Sequence, residues 1–182
     1  MTESSKPAPA PSERLRAAGG PPFHVVLVQP EIPPNTGNVG RLCAATGARL
    51  HLVEPLGFRI DEHAVRRAGL DYWPLIDLRV HANYAAARDV LIAGQPSGRR
   101  WLLSGKARQS YLDVAFRPGD ALIFGRESTG LDDALLQQHE ADAIGIPMPG
   151  KVRSLNLANA VAIVLYEALR QVGHLQKASV SY

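Results

Sequence analysis

Three turns rich in glycine and proline carry the polar side chains that could do chemistry in this chain. The first, PEIPPNTGNVGRLC at residues 30–43, contains Asn35 and Arg41. The second is FGRESTGL at 124–131, with a single acid, and the third is IPMPGKVRSLN at 146–156. Each turn follows a predicted strand. Ligands of open α/β sheets bind at the carboxyl ends of the strands, so these turns predict a ligand site.

The first turn predicts a functional arginine. Asn35 or Asn38 can cap the helix that we predict from Asn38 to Ala48. Asn38 and Arg41 lie three residues apart and therefore on one face of this helix. The dipole of a helix favours anions in its first turn, so a cation placed there indicates a use for that cation.

A dinucleotide site is an alternative for the same turn. Gly37 and Gly40 match half of the glycine fingerprint, and Glu54 ends the second predicted strand, where a ribose-binding acid would lie. However, Asn35 stands where the first glycine of the fingerprint should be. A nicotinamide-dependent oxidoreductase therefore stays open as a weaker reading.

The third turn does not suit phosphate. It matches part of a phosphate-binding loop, but Val152 replaces the hydroxyl that would bind magnesium. Pro147 and Pro149 remove two amide donors and stiffen the loop, leaving carbonyls free for a neutral or cationic ligand. Ser154 is predicted to begin the last helix and to face the pocket.

Composition excludes several other classes of site. The single cysteine, Cys43, rules out a disulfide framework and a cysteine-based zinc site, and the six histidines show no metal-ligand spacing. No run of about 18 apolar residues is present, and residues 1–22 lack the apolar middle of a secretory signal. We therefore expect a cytoplasmic protein without a metal. A net charge of +3 neither requires nor excludes a nucleic acid partner.

Short apolar runs alternate with helical stretches from Phe23 onward, which predicts an α/β fold with a mostly parallel sheet covered on both faces by helices. Residues 1–22, rich in Pro, Ala and Ser, predict a disordered tail, and residues 23–182 a single domain. The predicted strands lie at Val25–Val28, Leu50–Val53, Leu75–Val80, Trp101–Leu103, Ala121–Phe124 and Ala143–Ile146. Besides the first helix, the predicted helices lie at Asp61–Ala68, Ala82–Ala93 and Ser154–Val172.

The last predicted helix is apolar almost all the way round between residues 157 and 165. A helix at the surface of a small domain normally keeps one polar face. We expect one face to pack on the sheet and the other on a second subunit; an internal helix of a monomer is the alternative.

Together the motifs resemble the SPOUT methyltransferases, and among them the TrmL (YibK-like) tRNA 2′-O-methyltransferases of the wobble nucleotide. The resemblance covers about residues 23–172 and rests on four pieces in the family's order. These are PEIPPNTGNVGRLC at 30–43, RRAGLDYW at 66–73, FGRESTGL at 124–131 and IPMPGKVRSLNLANAVAIVLYE at 146–167. Arg126 stands where members often have proline.

This resemblance implies a C-terminal trefoil knot, a homodimer, and S-adenosylmethionine bound among the knotted loops without a metal. It implies methylation of the ribose of cytidine or uridine at the wobble position, with leucine tRNAs as the expected substrates, bound through the anticodon stem-loop. The implied contacts to S-adenosylmethionine are Leu103, Gly125, Ile146 and Ser154.

Arg41 matches the family's catalytic arginine, and Asn35 is expected to orient the ribose or Arg41. A guanidinium almost never deprotonates in proteins, so we assign Arg41 to stabilising the developing alkoxide rather than to acting as a base. We expect tRNA phosphates to be bound by basic residues near the turns: Arg66, Arg67, Lys106, Arg126, Lys151 and Arg153. A non-catalytic RNA-binding module with the same fold is the remaining alternative.

Overall fold

The computed structural model describes residues 20–58 and 72–177, which build one seven-stranded sheet in the order β3-β2-β1-β6-β4-β7-β5. Every paired strand in it is parallel. The α/β fold with a mostly parallel sheet is therefore confirmed. The strands are β1 (His24–Val28), β2 (Arg49–Val53), β3 (Leu78–His81), β4 (Arg100–Leu103), β5 (Gln109–Ser110), β6 (Ala121–Phe124) and β7 (Ala143–Gly145).

In the described residues, four α-helices flank the sheet: α1 (Pro33–Thr46), α2 (Tyr84–Gly94), α3 (Asp133–Gln138) and α4 (Leu157–Gln171). The sheet buries both of its faces, in two separate clusters of apolar side chains. In β1, Val25 and Leu27 pack on the side of α1 and α4, whereas Val26 packs on the side of α2. Burial on both faces explains why the central strands are continuously apolar instead of alternating.

The first helix begins five residues earlier than predicted. Pro33 and Pro34 occupy its first turn, because proline has the backbone angle of a helix and lacks the amide that would stay unbonded there. The cap position is Ile32, with no side-chain cap, so neither Asn35 nor Asn38 caps the helix. Arg41 is consequently the ninth residue of α1, and the prediction that it opposes the dipole in the first turn is wrong.

The last helix begins later than predicted. It starts at Leu157, and the side chain of Asn156 accepts hydrogen bonds from the amides of Ala158 and Asn159. Ser154 therefore lies in the preceding loop and not at the helix start, because asparagine provides the capping oxygen two residues further on. Gly173 follows the helix with a φ of 68°.

Smaller differences concern the edges of the domain. The strand predicted from residue 75 begins at Leu78, because residues 73–75 form a 3₁₀ turn. Pro22, which we placed in the tail, is buried, and its carbonyl accepts a hydrogen bond from the Gly119 amide at 2.8 Å. Residues 1–19 and the predicted helix Asp61–Ala68 lie outside the described residues. The helices described here are all too short or too polar to cross a membrane.

Candidate active site

The three turns meet at the carboxyl edge of the sheet. β1 pairs with β6, β6 with β4, and β4 with β7, all in parallel, so the segments that leave these strands emerge side by side. The first turn follows β1, the second follows β6 and the third follows β7. The topology thus brings together residues that are about 120 positions apart in the sequence.

Glu127 joins the first two turns. One of its carboxylate oxygens accepts a hydrogen bond from the Glu31 amide at 2.8 Å. The other accepts from the Ile32 amide at 3.2 Å and from Nδ2 of Asn35 at 2.9 Å. Ile32 is the cap position of α1, so Glu127 takes the place of the missing side-chain cap and puts a negative charge at the positive end of the helix.

The pKa of Glu127 reflects this position. Partial burial alone would raise the pKa of the carboxyl group, but the hydrogen bonds from Asn35, Glu31 and Ile32 outweigh it and lower the pKa below the ordinary value. Glu127 is therefore charged at neutral pH. Because it accepts hydrogen bonds from three donors of the first turn, this carboxylate stabilises the fold.

A second carboxylate also joins these two turns, but here the acid lies in the first turn and the donors lie in the second. The Glu31 carboxylate accepts hydrogen bonds from the amide of Ser128 at 3.0 Å and from its hydroxyl at 2.8 Å. Beside this pair, the guanidinium of Arg126 donates to Oε1 of Gln29. Gln29 is the one described non-glycine residue with a positive φ, 52°. The segment after β1 is thus tied to the segment after β6 at three places.

Asn35 extends the network to the third turn. It is 5% exposed, and its Oδ1 accepts a hydrogen bond from Nδ2 of Asn156 at 2.9 Å. Asn156 in turn caps α4. A continuous chain from Glu127 through Asn35 to Asn156 therefore fixes the start of α1 relative to the start of α4.

The second turn closes on itself. Gly130 and Arg126 exchange two backbone hydrogen bonds, of 2.9 and 3.2 Å. A Cβ atom at the buried Gly125 would lie 2.1 Å from the carbonyl carbon of Gly130. In the structure, Gly125 lets the two ends of its own turn approach each other.

Arg41 lies on the exposed side of α1 together with Asn38, as their spacing predicts. Its guanidinium carbon lies 4.3 Å from the centre of the Tyr72 ring. Tyr72 was not among the predicted site residues, although it belongs to the RRAGLDYW segment. Asn35 and Arg41 lie six residues apart, which places them on different faces of the helix. Among the described residues, the side chain of Asn35 forms hydrogen bonds with Glu127 and Asn156. Its expected role in orienting the ribose or Arg41 stays a prediction.

The residues expected to hold S-adenosylmethionine lie around adjacent strand ends. Leu103 ends β4, and Gly125 and Ile146 directly follow β6 and β7. Leu103 and Ile146 are half-buried, and Ser154 is exposed in the third turn. Within the described part of the chain, residues 147–155 form no backbone-to-backbone hydrogen bond. Their amides and carbonyls are free to bind a ligand, which fits a donor that is held largely by main-chain atoms.

The basic residues expected at tRNA phosphates are only partly placed by the structure. Lys151 and Arg153 are exposed in the third turn, beside Ser154. Lys106 is exposed and forms an ion pair with Asp133 at 2.5 Å, an interaction that a phosphate could replace at little cost on the surface. Half-buried Arg126 is tied to Gln29, as described above. Arg66 and Arg67 lie outside the described residues.

A ladder of three buried histidines was not predicted either, because the spacing of the histidines in the sequence indicates no common site. His24, His51 and His81 come from the neighbouring strands β1, β2 and β3. Their ring nitrogens form hydrogen bonds of 2.9 and 2.8 Å. Burial is the main cause that lowers their pKa values, so the rings are neutral at pH 7. Among the described residues no group of three or more His, Cys, Asp or Glu side chains is arranged to hold a metal ion.

Comparison with known proteins agrees with this geometry. The profile of the SpoU rRNA Methylase family matches residues 22–166. The tRNA (cytidine(34)-2′-O)-methyltransferase of Burkholderia pseudomallei (strain 1106a) is 48% identical over 154 residues, which cover 83% of this chain and 96% of the relative.

Solved structures give the same answer. One, described as structural insights into the 2-OH methylation of C/U34 on tRNA, superimposes with a TM-score of 0.76 at 47% identity and covers 84% of this chain and 97% of that chain. The SpoU methyltransferase AviRb from Streptomyces viridochromogenes, in complex with the cofactor AdoMet, has a TM-score of 0.70 at 27% identity. That match covers 84% of this chain and 58% of AviRb.

Proposed function

The chain belongs to the SpoU methylase family, and from this premise we propose that it is an S-adenosylmethionine-dependent tRNA 2′-O-methyltransferase of the wobble nucleotide, cytidine or uridine 34. The observation that carries the proposal is the 48% identity with a tRNA (cytidine(34)-2′-O)-methyltransferase along 96% of that relative. Neither a nicotinamide-dependent oxidoreductase nor a non-catalytic RNA-binding module finds support among the relatives.

The proposed binding site for the methyl donor lies at Leu103, Gly125, Ile146 and Ser154. S-adenosylmethionine supplies a methyl group already activated by its sulfonium. Leu103 and Ile146 offer apolar side chains at adjacent strand ends, and the free backbone groups of residues 147–155 offer donors and acceptors for the polar parts of the donor. The AdoMet complex of AviRb supports this class of cofactor.

The chemical problem for the protein is the weak nucleophile. A ribose hydroxyl must approach the methyl group in line with the sulfur. As the new O–C bond forms, the C–S bond would break, S-adenosylhomocysteine would leave, and the hydroxyl proton would pass to solvent water. Alignment of the two reactants can supply about 7–11 kcal/mol of the barrier. We assign Arg41 to the remaining task, stabilising the oxygen as negative charge develops and contacting the adjacent phosphate, which is worth roughly 3–4 kcal/mol for one well-placed donor. Asn35 supports the site through its bonds to Glu127 and Asn156.

The assembly that we propose is a homodimer. On α4, Val161, Val164 and Leu165 face the core, whereas Ile163 and Tyr166 are 38% and 46% exposed on the other side. This apolar outer face supports packing against a second copy. The trefoil knot remains a prediction, because the order of strands in the sheet does not test how the C-terminal segment is threaded.

The tRNA contacts are likewise proposals. Arg126 lies in the second turn, Lys151 and Arg153 lie in the third, and Lys106 follows β4 and pairs with Asp133. Arg66 and Arg67 are proposed on the resemblance alone. We propose the anticodon stem-loop as the bound region and leucine tRNAs as the substrates.

The experiment that tests this function measures nucleosides by mass spectrometry after bulk tRNA is incubated with purified protein and S-adenosylmethionine. We expect a 2′-O-methylated pyrimidine at position 34. Arg41→Ala should lower the rate at least about 100-fold, since an oxyanion donor contributes that much. Arg88→Ala is the matched control, because Arg88 is an exposed arginine paired with Asp89 on α2. No methylation by the wild-type protein would refute the function, and a near-normal rate for Arg41→Ala would remove Arg41 from the mechanism.

A further inference from the structure

We propose that Tyr72 is the positioning residue of Arg41, holding the guanidinium over its ring so that the N–H groups are presented to the substrate. This inference deepens the proposed function and rests on it for the role of Arg41. The contact itself is a feature of the fold: the guanidinium carbon lies 4.3 Å from the ring centre, well within the roughly 6 Å limit of a cation–π interaction.

Tyr72 is itself fixed. It is 8% exposed, and its hydroxyl donates a hydrogen bond to the carbonyl oxygen of Gly37 at 2.9 Å. Gly37 and Arg41 are four residues apart and lie on one face of α1. The tyrosine therefore spans one turn of the helix, with its hydroxyl at one end and the stacked guanidinium at the other.

One glycine of α1, Gly40, makes room for this arrangement. A Cβ at Gly40 would lie 2.8 Å from Ile76 and 3.4 Å from Trp73. A Cβ at Gly37 would lie 3.7 Å from the Tyr72 hydroxyl, which is an ordinary van der Waals contact. Gly40 has no positive φ, so its small size, and not its backbone freedom, is what the fold uses. The segment after residue 71 can then lie against α1 and bring the ring under Arg41.

Stacking suits an arginine that must act on a substrate. An exposed arginine has many rotamers, and ordering it costs free energy each time that a substrate binds. Guanidinium groups commonly stack on aromatic faces, and in that arrangement the five N–H donors lie around the rim of the planar group. A hydrogen-bonded carboxylate would have occupied those donors. In the described part of the chain Arg41 forms no ion pair with an acid, so the rim stays available for a sugar oxygen or a phosphate.

The test compares Tyr72→Phe with Tyr72→Leu in single-turnover methyl transfer at saturating tRNA and S-adenosylmethionine. Tyr72→Leu removes the ring and should lower the rate roughly 3- to 30-fold, the range that corresponds to cation–π contacts between exposed and desolvated sites. Tyr72→Phe keeps the ring and should stay within about threefold of wild type. The dissociation constant of S-adenosylmethionine should be unchanged in both variants. Tyr84→Leu, a half-buried tyrosine on α2, controls for the loss of any aromatic side chain.

A second readout does not require activity. The Nε–H signal of Arg41 in an NMR spectrum, assigned by its absence in Arg41→Lys, should be displaced by the ring current of Tyr72. The displacement should persist in Tyr72→Phe and Tyr84→Leu and vanish in Tyr72→Leu. An inactive wild-type protein that shows this pattern would count against the proposed function and leave the contact standing. An active wild type whose rate is unaffected by Tyr72→Leu, or equally lowered by Tyr72→Phe, would overturn the positioning role.

Discussion

Replacing Glu127 by alanine should destabilise the protein by about 2–4 kcal/mol. The change removes the acceptor of three hydrogen bonds, from the amides of Glu31 and Ile32 and from the side chain of Asn35. Water can replace it at the two exposed amides, so each of these contributes only about 0.5 kcal/mol, the low end of the range for a hydrogen bond. Asn35 is 5% exposed, and leaving its amide group without an acceptor costs about 1–3 kcal/mol. The total loss of about 2–4 kcal/mol corresponds to a decrease of roughly 4–16 °C in the melting temperature of a chain of this length.

The assay is urea denaturation followed by circular dichroism at one fixed protein concentration, because the stability of the proposed dimer would depend on concentration. Glu31→Ala is the matched control, since it removes the reciprocal carboxylate, whose partners on Ser128 are exposed and solvated. It should cost about 1 kcal/mol or less. Equal losses for the two variants would show that the buried Asn35 amide does not dominate, and the reasoning would fail.

Glu127→Gln separates the charge from the shape of the side chain. It should cost less than Glu127→Ala, because one oxygen acceptor remains. The pKa of Glu127 is lowered in the folded protein, so the unfolded chain takes up the proton first as the pH falls. The stabilising effect of the carboxylate is thus complete above the ordinary pKa of a glutamate and is lost as the pH drops through the lower, folded value. The difference between wild type and Glu127→Gln should shrink over that interval; a constant difference would contradict the assignment.

Two further predictions concern stability elsewhere in the fold. Gly125→Ala should cost more than about 3 kcal/mol or abolish folding, because the new methyl group meets backbone at 2.1 Å, whereas Gly150→Ala has open space and should melt like wild type. The free energy of unfolding should fall as the pH is lowered from about 6.5 to 4, because burial lowers the pKa of His24 to about 4 and of His51 to about 2, so only the unfolded chain binds protons there. Urea titrations at pH 7 and 5 measure this loss, which should be smaller in His51→Gln; an equal loss would exclude the ladder as its source.

The sheet was predictable because its strands follow a simple physical rule. Central strands of a parallel sheet are buried on both faces, so Val25–Val28 and Ala121–Phe124 appear as uninterrupted apolar runs. The ends of the helices were harder to predict. A search for capping side chains does not identify Pro33 as the start of α1. The carboxylate that caps this helix belongs to Glu127, which is distant in the sequence, so the cap position itself carries no local signal.

The candidate site shows the same division between local and distant information. The stiff third turn with its free carbonyls follows from Pro147 and Pro149, and the role of Arg41 follows from its match to the motif of the family. The contact of Arg41 with Tyr72, and that of Asn35 with Asn156, join positions 31 and 121 residues apart. Spacing rules describe neighbours on one helix or strand, so they cannot identify these pairs. The prediction that Arg41 opposes the dipole in the first turn was wrong because the carboxylate of Glu127, which binds the start of this helix, is also distant in the sequence. Arg41 remains the strongest catalytic candidate.

Arg41 therefore depends on two separate supports. Glu127 fixes where α1 begins, through Ile32 and Asn35, and so sets the position and direction of the whole helix. Tyr72 contacts Arg41, which lies eight residues after Pro33 on α1, and holds the side chain of this arginine. Loss of the first support should lower stability and activity together, whereas loss of the second should lower activity with little change in the binding of S-adenosylmethionine. Measured on the same variants, these two patterns distinguish an arginine positioned by its helix from one positioned by its aromatic neighbour.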